Sequence, residues 1–430
     1  MNREILRLAI PNIISNISVP LLSSVDTALM GRLSAYHIGA VGIGSMIFNF
    51  LYWNFGFLRM GTTGLTAQAF GRRDESAIAS HLFRALIVGG LIAFILILFK
   101  DPIGRMAMWL MQVEGAQGEL VWRYFEIRLW AAPASLMLYG LMGWYFGMQN
   151  AIYPLILTIC INVINIGLSW VLVNDYQMEV AGVAFGTVGA QYFGLLLAIL
   201  LLIWRYRTIL VHAKLAVVMK WSAFMAYLKI NRDIFLRTLF LSFAFAVFYS
   251  ASSGLGEKIL AVNVILLQFV NWMSYGIDGF AYASESLVGK YKGADDHGKL
   301  RRVILYSFYW CFGFAVIYAF TFYIGEIPLL MIFTDQHEIV QAAHEYMPYV
   351  IIYPLLGFLS YLWDGVFIGL TASKAMRNSM ALSFLFFVVA YLVLVPVYGA
   401  HGIWIALLVF MVLRGVFQSI QWGNSGTELT

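Results

Sequence analysis

Apolar residues fill this chain in long stretches, interrupted by short polar or basic segments. Reading the stretches against their breaks predicts twelve helices, near residues 8–30, 38–69, 82–99, 120–147, 152–173, 181–204, 234–254, 258–289, 304–325, 345–370, 378–397 and 401–420. Most are of the length that crosses a bilayer as a helix. The stretches 38–69 and 258–289 are longer than one crossing needs, so they are expected to tilt or to project beyond the membrane. Residues 205–232, which begin RYRTILVHAK, are too often interrupted by Lys and Arg to span. They read as a basic amphipathic segment on the membrane surface, with an ordinary solvated loop as the alternative.

Composition agrees with this pattern. Of 430 residues, 61% are hydrophobic and 11% charged, whereas a soluble domain is about one quarter charged. The chain is therefore expected to be an all-α polytopic membrane protein. Its net charge of +5 does not call for nucleic acid as a partner, because the basic residues gather in alternate connections. Arg72, Arg73, Lys214, Lys220, Lys290, Lys292, Arg301, Arg302, Lys374 and Arg377 fall on one side, and only Arg32, Lys100, Arg105 and Lys258 on the other. The positive-inside rule then places both termini in the cytoplasm. The first apolar run lacks a small-residue cleavage site and is expected to be a retained helix. Cys160 and Cys311 lie inside apolar runs, with no disulfide or metal-ligand spacing.

The two halves repeat one another. IGAV at 38–41 returns as ILAV at 259–262; Gly71 and Asp74 return as Gly293 and Asp296; Gly147 and Gly182 return as Gly369 and Gly402. The organisation predicted is an amino-terminal lobe of six helices at 1–204, a cytoplasmic amphipathic linker at 205–232 and a carboxy-terminal lobe of six helices at 233–430. A parallel six-plus-six repeat is an arrangement in which transporters place a central cavity.

The chemistry centres on Asp26, a single carboxylate late in the first apolar run, in PLLSSVDTALMGR. A carboxylate at mid-membrane costs about 2.5–3.5 kcal/mol on insertion scales, so it is retained mainly where it faces a partner or water. Asn12, Asn16, Ser23 and Asp26 share an arc of roughly 80°. Pro20 lies below the acid and leaves a carbonyl without its helical donor, which favours a kink. On the fifth helix Asn162, Asn165 and Ser169 share a face, and the sixth adds Thr187 and Gln191 one turn apart. Together these oxygens suit a proton or a hard monovalent cation. The competing reading is that the same groups only tie helices together.

The second half carries Gln268, Asn271, Tyr275, Asp278, Tyr282 and Glu285 within roughly a 100° arc of one helix. Asp364 follows on the tenth. Acids and aromatics lining one wall would attract an amphipathic organic cation. Arg59 is a candidate partner for one of these acids, which would make that acid structural, and Arg128 and Arg414 carry the same implication, with Glu126 a local candidate partner. No GxxxxGK[ST], paired-His metal spacing or Gly-x-Ser-x-Gly appears, so no ATPase or hydrolase machinery is visible and the energy is expected from an ion gradient.

VDTALMGRLS, FLRMGTTGLTAQAFGRRD, NVINIGLSW, DGFAYASESLVGKYKGADD and LWDGVFIG together resemble the multidrug and toxic compound extrusion (MATE) family, most closely its DNA-damage-inducible F (DinF) subgroup. The resemblance covers nearly the whole chain. It implies a V-shaped, alternating-access antiporter, not an enzyme, that exports organic cations and other xenobiotics in exchange for protons or sodium, with no other cofactor and as a monomer. By the family's pattern Asp26 is the acid of the amino-terminal cation site, with Asn165 and Thr187 as companions. The pattern has a second acid where this chain has Ser169, and one carboxylate in place of two points to protons. Another branch of the family places a sodium site on an acid of the seventh helix and one of the tenth. Asp364 matches the latter, but the seventh helix shows no carboxylate, and Asp278 and Glu285 either replace it or bind substrate. A lipid or lipid-linked sugar flippase is the alternative within transport, and a membrane scaffold or sensor the alternative outside it.

Overall fold

The computed structural model describes the backbone of residues 1–30 and 35–425 and the side chains of residues 1–18 and 37–423. The described residues form helices and no strand. They divide into two units by internal contact, Ile14–Leu228 and Met1–Ile13 with Lys229–Thr430. The first helix, α1 (Asn2–Met30), therefore contributes its opening turns to the second of these units and the rest to the first.

The amino-terminal unit continues with α2 (Ala35–Asn54), α3 (Phe57–Arg72), α4 (Glu75–Leu98), α5 (Lys100–Met111), α6 (Gly115–Arg128), α7 (Ala132–Gly147), α8 (Ile152–Asn174), α9 (Glu179–Leu210) and the one-turn α10 (Leu215–Val218). The carboxy-terminal unit holds α11 (Trp221–Gly254), most of which lies past the boundary, then α12 (Glu257–Gly293), α13 (His297–Ile324), α14 (Glu326–Leu330), α15 (His337–Gly369), α16 (Ser373–Tyr398) and α17 (Ala400–Ser425).

Ten runs among the described residues are long and apolar enough to cross a membrane, with α2 and α3 counted as one run from His37 to Arg72. The other two of the twelve expected stretches are 8–30, which falls in α1, and 120–147, which falls in α6 and α7. The latter is broken by a 3-10 turn at Leu129–Ala131, just before Pro133, which has no N–H to donate and fits the first turn of α7. Similarly the stretch 38–69 divides at Phe55 and Gly56. The linker 205–232 is mostly helical: its start completes α9 beyond a kink at Tyr206 (φ −125°), α10 follows, and residues 221–232 open α11. Large apolar side chains such as Phe94, Leu98, Val163, Leu392 and Val393 face outward, as expected where the solvent is hydrocarbon.

Each unit is closed by hydrogen bonds from buried side chains. In the first, Trp144 Nε1 donates to Ile78 O at 2.9 Å and Tyr145 Oη to Ala198 O at 2.6 Å. In the second, Trp404 Nε1 donates to Asn263 Oδ1 at 2.9 Å, and Asn263 Nδ2 to Ser252 Oγ at 2.8 Å. The connections repeat as well. Arg73 and Asp295 take the left-handed conformation (φ 59° and 55°), and the next residues, Asp74 and Asp296, cap α4 and α13 by accepting from Ala77 N and Lys299 N, each at 2.9 Å.

Candidate functional site

In the amino-terminal unit, α1 and α8 lie side by side and are parallel in register. Ser15 Oγ donates to Thr158 Oγ1 at 2.9 Å, and Asn162 Nδ2 donates to Ser18 O at 3.2 Å. One face of α8 thus meets α1, and the same face carries Asn165 and Ser169 further along. Both are buried. Asn165 Nδ2 donates to Thr187 Oγ1 of α9 at 2.9 Å, and Thr187 Oγ1 in turn donates to Val183 O at 3.1 Å. These bonds fix which way the amide points: its nitrogen goes to α9, leaving Oδ1 turned away. Asn165 Oδ1 and Ser169 Oγ are buried and have no hydrogen-bond partner among the described residues.

A buried oxygen without a donor costs about 1–3 kcal/mol, so such a pair in one place favours something that donates to it or coordinates it. Gly186 of α9 makes room for Ser169, since a Cβ there would stand 2.3 Å from Ser169 Oγ. The offsets between Ser15 and Thr158 and between Ser18 and Asn162 differ by one residue, so the described turns of α1 run parallel to α8. Asp26 itself belongs to α1, and its side chain lies outside the described residues. So do Pro20 and Ser23.

The carboxy-terminal candidates are gathered differently. Asp364 of α15 is almost fully buried, and its carboxylate is taken up by three side chains. Oδ2 accepts from Arg237 of α11 and, at 2.8 Å, from Arg414 Nη2 of α17; Oδ1 accepts from Gln418 Nε2 at 3.0 Å. Three helices are joined at one carboxylate. The charge of Asp278 acts on both guanidiniums, so the cluster balances two arginines against two acids. Tyr361, near Arg414, shares a 2.7 Å hydrogen bond with Ser274 of α12. Glu285 is fully buried where α15 crosses α12. Gln268, Tyr275, Asp278 and Tyr282 are half-buried, and Asn271 is exposed.

Of the cations weighed as partners, Arg414 is bound to Asp364. Arg59 lies over the Phe146 ring at 5.8 Å, while Arg128 donates to Tyr124 Oη and lies over Phe48 at 5.2 Å. Glu126 accepts from Lys100 at 2.9 Å. Arg237 was not among the sequence candidates. It stands at the start of the apolar part of α11, next to the basic linker, and reads there as a flanking charge. Among the described residues no group of three His, Cys, Asp or Glu side chains is placed to hold a metal ion.

The MatE family model matches the chain twice, at residues 11–171 and 234–394, one copy for each half of the repeat. DNA damage-inducible protein F of Escherichia coli (strain K12) is 37% identical over 426 residues, covering 98% of this chain and 92% of that protein. A probable multidrug resistance protein NorM of Thermotoga maritima is 22% identical over 350 residues, covering 79% of this chain and 74% of that one. The fold matches the crystal structure of the Vibrio cholerae MATE transporter VcmN in the bent form with a TM-score of 0.88 at 19% identity, over 99% of this chain and 97% of the other. With both halves matched and one relative alike along nearly its whole length, this all-helical, membrane-spanning chain is a member of the MatE family.

Proposed function

We propose that the chain is a secondary antiporter of the inner membrane that exports organic cations and other xenobiotics in exchange for protons, with Asp26 as the coupling acid and sodium as the alternative ion. The observation that carries this reading is the pair of buried, unsatisfied oxygens, Asn165 Oδ1 and Ser169 Oγ, on the face of α8 that meets α1. A carboxyl group brought beside them would donate to one of these oxygens when protonated and would repel them when ionised. Its protonation therefore changes how α1 sits on α8. Transport follows if proton and cargo favour different conformations of the same protein. A single carboxylate among neutral oxygens holds sodium weakly, which supports protons as the coupling ion. Relatives named for multidrug resistance support xenobiotics as the cargo, and the basic bias of alternate connections supports cytoplasmic termini.

The test is efflux of a fluorescent organic cation from everted vesicles, driven in turn by a proton and by a sodium gradient. Export driven by protons and lost in Asp26→Asn, with the variant still folded, is the expected result. Export driven by sodium alone that persists in Asp26→Asn overturns it.

A further inference from the structure

The short helix α10 and its flanks offer a surface that the transport reading does not use. Arg84 of α4 is buried and reaches across to this segment, where Nε donates to Val218 O at 3.0 Å and Nη2 to Val217 O at 2.6 Å. These carbonyls end a one-turn helix, where Val217 O receives only a long 3.4 Å bond from Lys220 N, so a guanidinium is a fitting cap for them. Val218 is buried beneath the segment, and Tyr227 on the following helix shares a 3.0 Å hydrogen bond with Thr62. The segment is thus held against the amino-terminal unit.

Its outer side is apolar and basic. Leu215, Met219 and Trp221 are 76%, 53% and 73% exposed, and Lys214 and Lys220 stand among them. Neither lysine makes an ion pair among the described residues. From Arg205 to Lys229 the chain has five basic residues and no acid. Among the described residues the acid that pairs with this stretch is Glu75, which meets His212 at 3.2 Å.

Charge and apolarity together decide what covers this surface. Arg84 belongs to α4, a helix long and apolar enough to cross a membrane, and its hydrogen bonds tie α10 to that helix. Exposed apolar side chains beside such a span enter the acyl boundary, while lysines among them reach the phosphates. We propose that α10 and its flanks form an anchor for the anionic phospholipids of the adjoining leaflet, with Arg84 as the positioning residue that ties it to the span. The occupant is the headgroup layer of phosphatidylglycerol-type lipid: anionic charge meets Lys214 and Lys220 while the leaflet receives Leu215, Met219 and Trp221.

Amide hydrogen exchange of residues 211–222 tests this on the intact chain in nanodiscs. Exchange in phosphatidylcholine discs containing one quarter phosphatidylglycerol should be about tenfold slower than in pure phosphatidylcholine, given two lysines near an anionic surface. The difference should vanish in Lys214→Gln/Lys220→Gln, whose changes are confined to exposed side chains. Inorganic phosphate added to pure phosphatidylcholine discs should give no protection, which separates a lipid surface from a free anion. Arg84→Gln should speed exchange in both kinds of disc. Equal exchange with and without phosphatidylglycerol, or a full difference surviving in the double lysine variant, overturns the proposal. This readout needs no transport and stands apart from the coupling ion.

Discussion

Arg237 donates to the same carboxylate oxygen of Asp364 that Arg414 reaches from a third helix. The cluster is buried, so each charge there depends on the others. Removing one member of a buried, hydrogen-bonded charge group leaves its partners uncompensated and costs about 3–5 kcal/mol. Asp364→Asn should therefore lower the unfolding midpoint of the purified protein in detergent, and Arg237→Gln in the same chain should recover part of the loss. Nonadditive effects of that kind mark an interacting pair. If Asp364→Asn unfolds like the parent but no longer transports, the acid serves the cargo and not the frame.

Asn165 makes the opposite kind of contact, with one end satisfied and the other open. Placing a carboxylate beside its free oxygen should build a site for a hard cation. Ser169→Asp adds that second charge, and sodium-driven efflux from everted vesicles should rise severalfold while proton-driven efflux falls. Thr187→Val removes the acceptor that holds the Asn165 amide. It should cost about 1–3 kcal/mol of stability by leaving a buried donor unpaired, which unfolding in detergent would register. No change in ion preference in Ser169→Asp would locate coupling away from this face.

Much of the frame is readable from the lengths of the apolar runs, because hydrocarbon thickness sets how long each helix must be. The breaks are less readable. Phe55–Gly56 and Leu129–Ala131 interrupt runs that stay apolar across the break, and α5 was hidden in a connection because Lys100, Asp101 and Arg105 dilute its apolar face. For the site, helical spacing put Asn162, Asn165 and Ser169 on one face, and the structure sets Asn162 against α1 and Asn165 against Thr187. The partners of Asp364 were only partly readable. Arg237 lies 127 positions away, and nothing local to either residue encodes that meeting.

Gly143 and Gly365 show what the repeat preserves. A Cβ at Gly143 would stand 2.3 Å from Arg59 O, and one at Gly365 would stand 2.2 Å from Ala281 O. The crossing of α7 on α3 and that of α15 on α12 therefore depend on the same missing atom, although Arg59 and Ala281 share no chemistry. Backbone cannot give way as a side chain can, so Gly143→Ala and Gly365→Ala should each destabilise by about 1–3 kcal/mol. Gly167→Ala and Gly313→Ala, where a Cβ meets nothing within 4 Å, should be neutral or slightly stabilising. Thermal unfolding of the four variants in one detergent checks this. A tolerant Gly143 beside an intolerant Gly365 would mean that the two crossings are not equivalent.

The opening turns of α1 are fastened to α12 and α13 outside the apolar run. Tyr291 Oη donates to both carboxylate oxygens of Glu4 at 3.0 Å, Lys290 Nζ stands 3.4 Å from one of them, and Trp310 Nε1 donates to Asn2 Oδ1 at 3.2 Å. Burial alone would raise the Glu4 carboxyl, but the Tyr291 hydroxyl and the Lys290 charge outweigh it and hold the group below its ordinary value of 4.5. A carboxyl lowered by folding stabilises the folded form above its unfolded value, and that contribution is lost as the pH falls below 4.5 through the folded value. The start of α1 should stay protected from hydrogen exchange at neutral pH and lose protection severalfold between about pH 5 and 3, after correction for intrinsic rates. Glu4→Gln should be less protected at neutral pH and flat across the same range. If parent and variant lose protection in parallel, other carboxylates carry the acid response, and the Glu4 contact is incidental to how α1 is held.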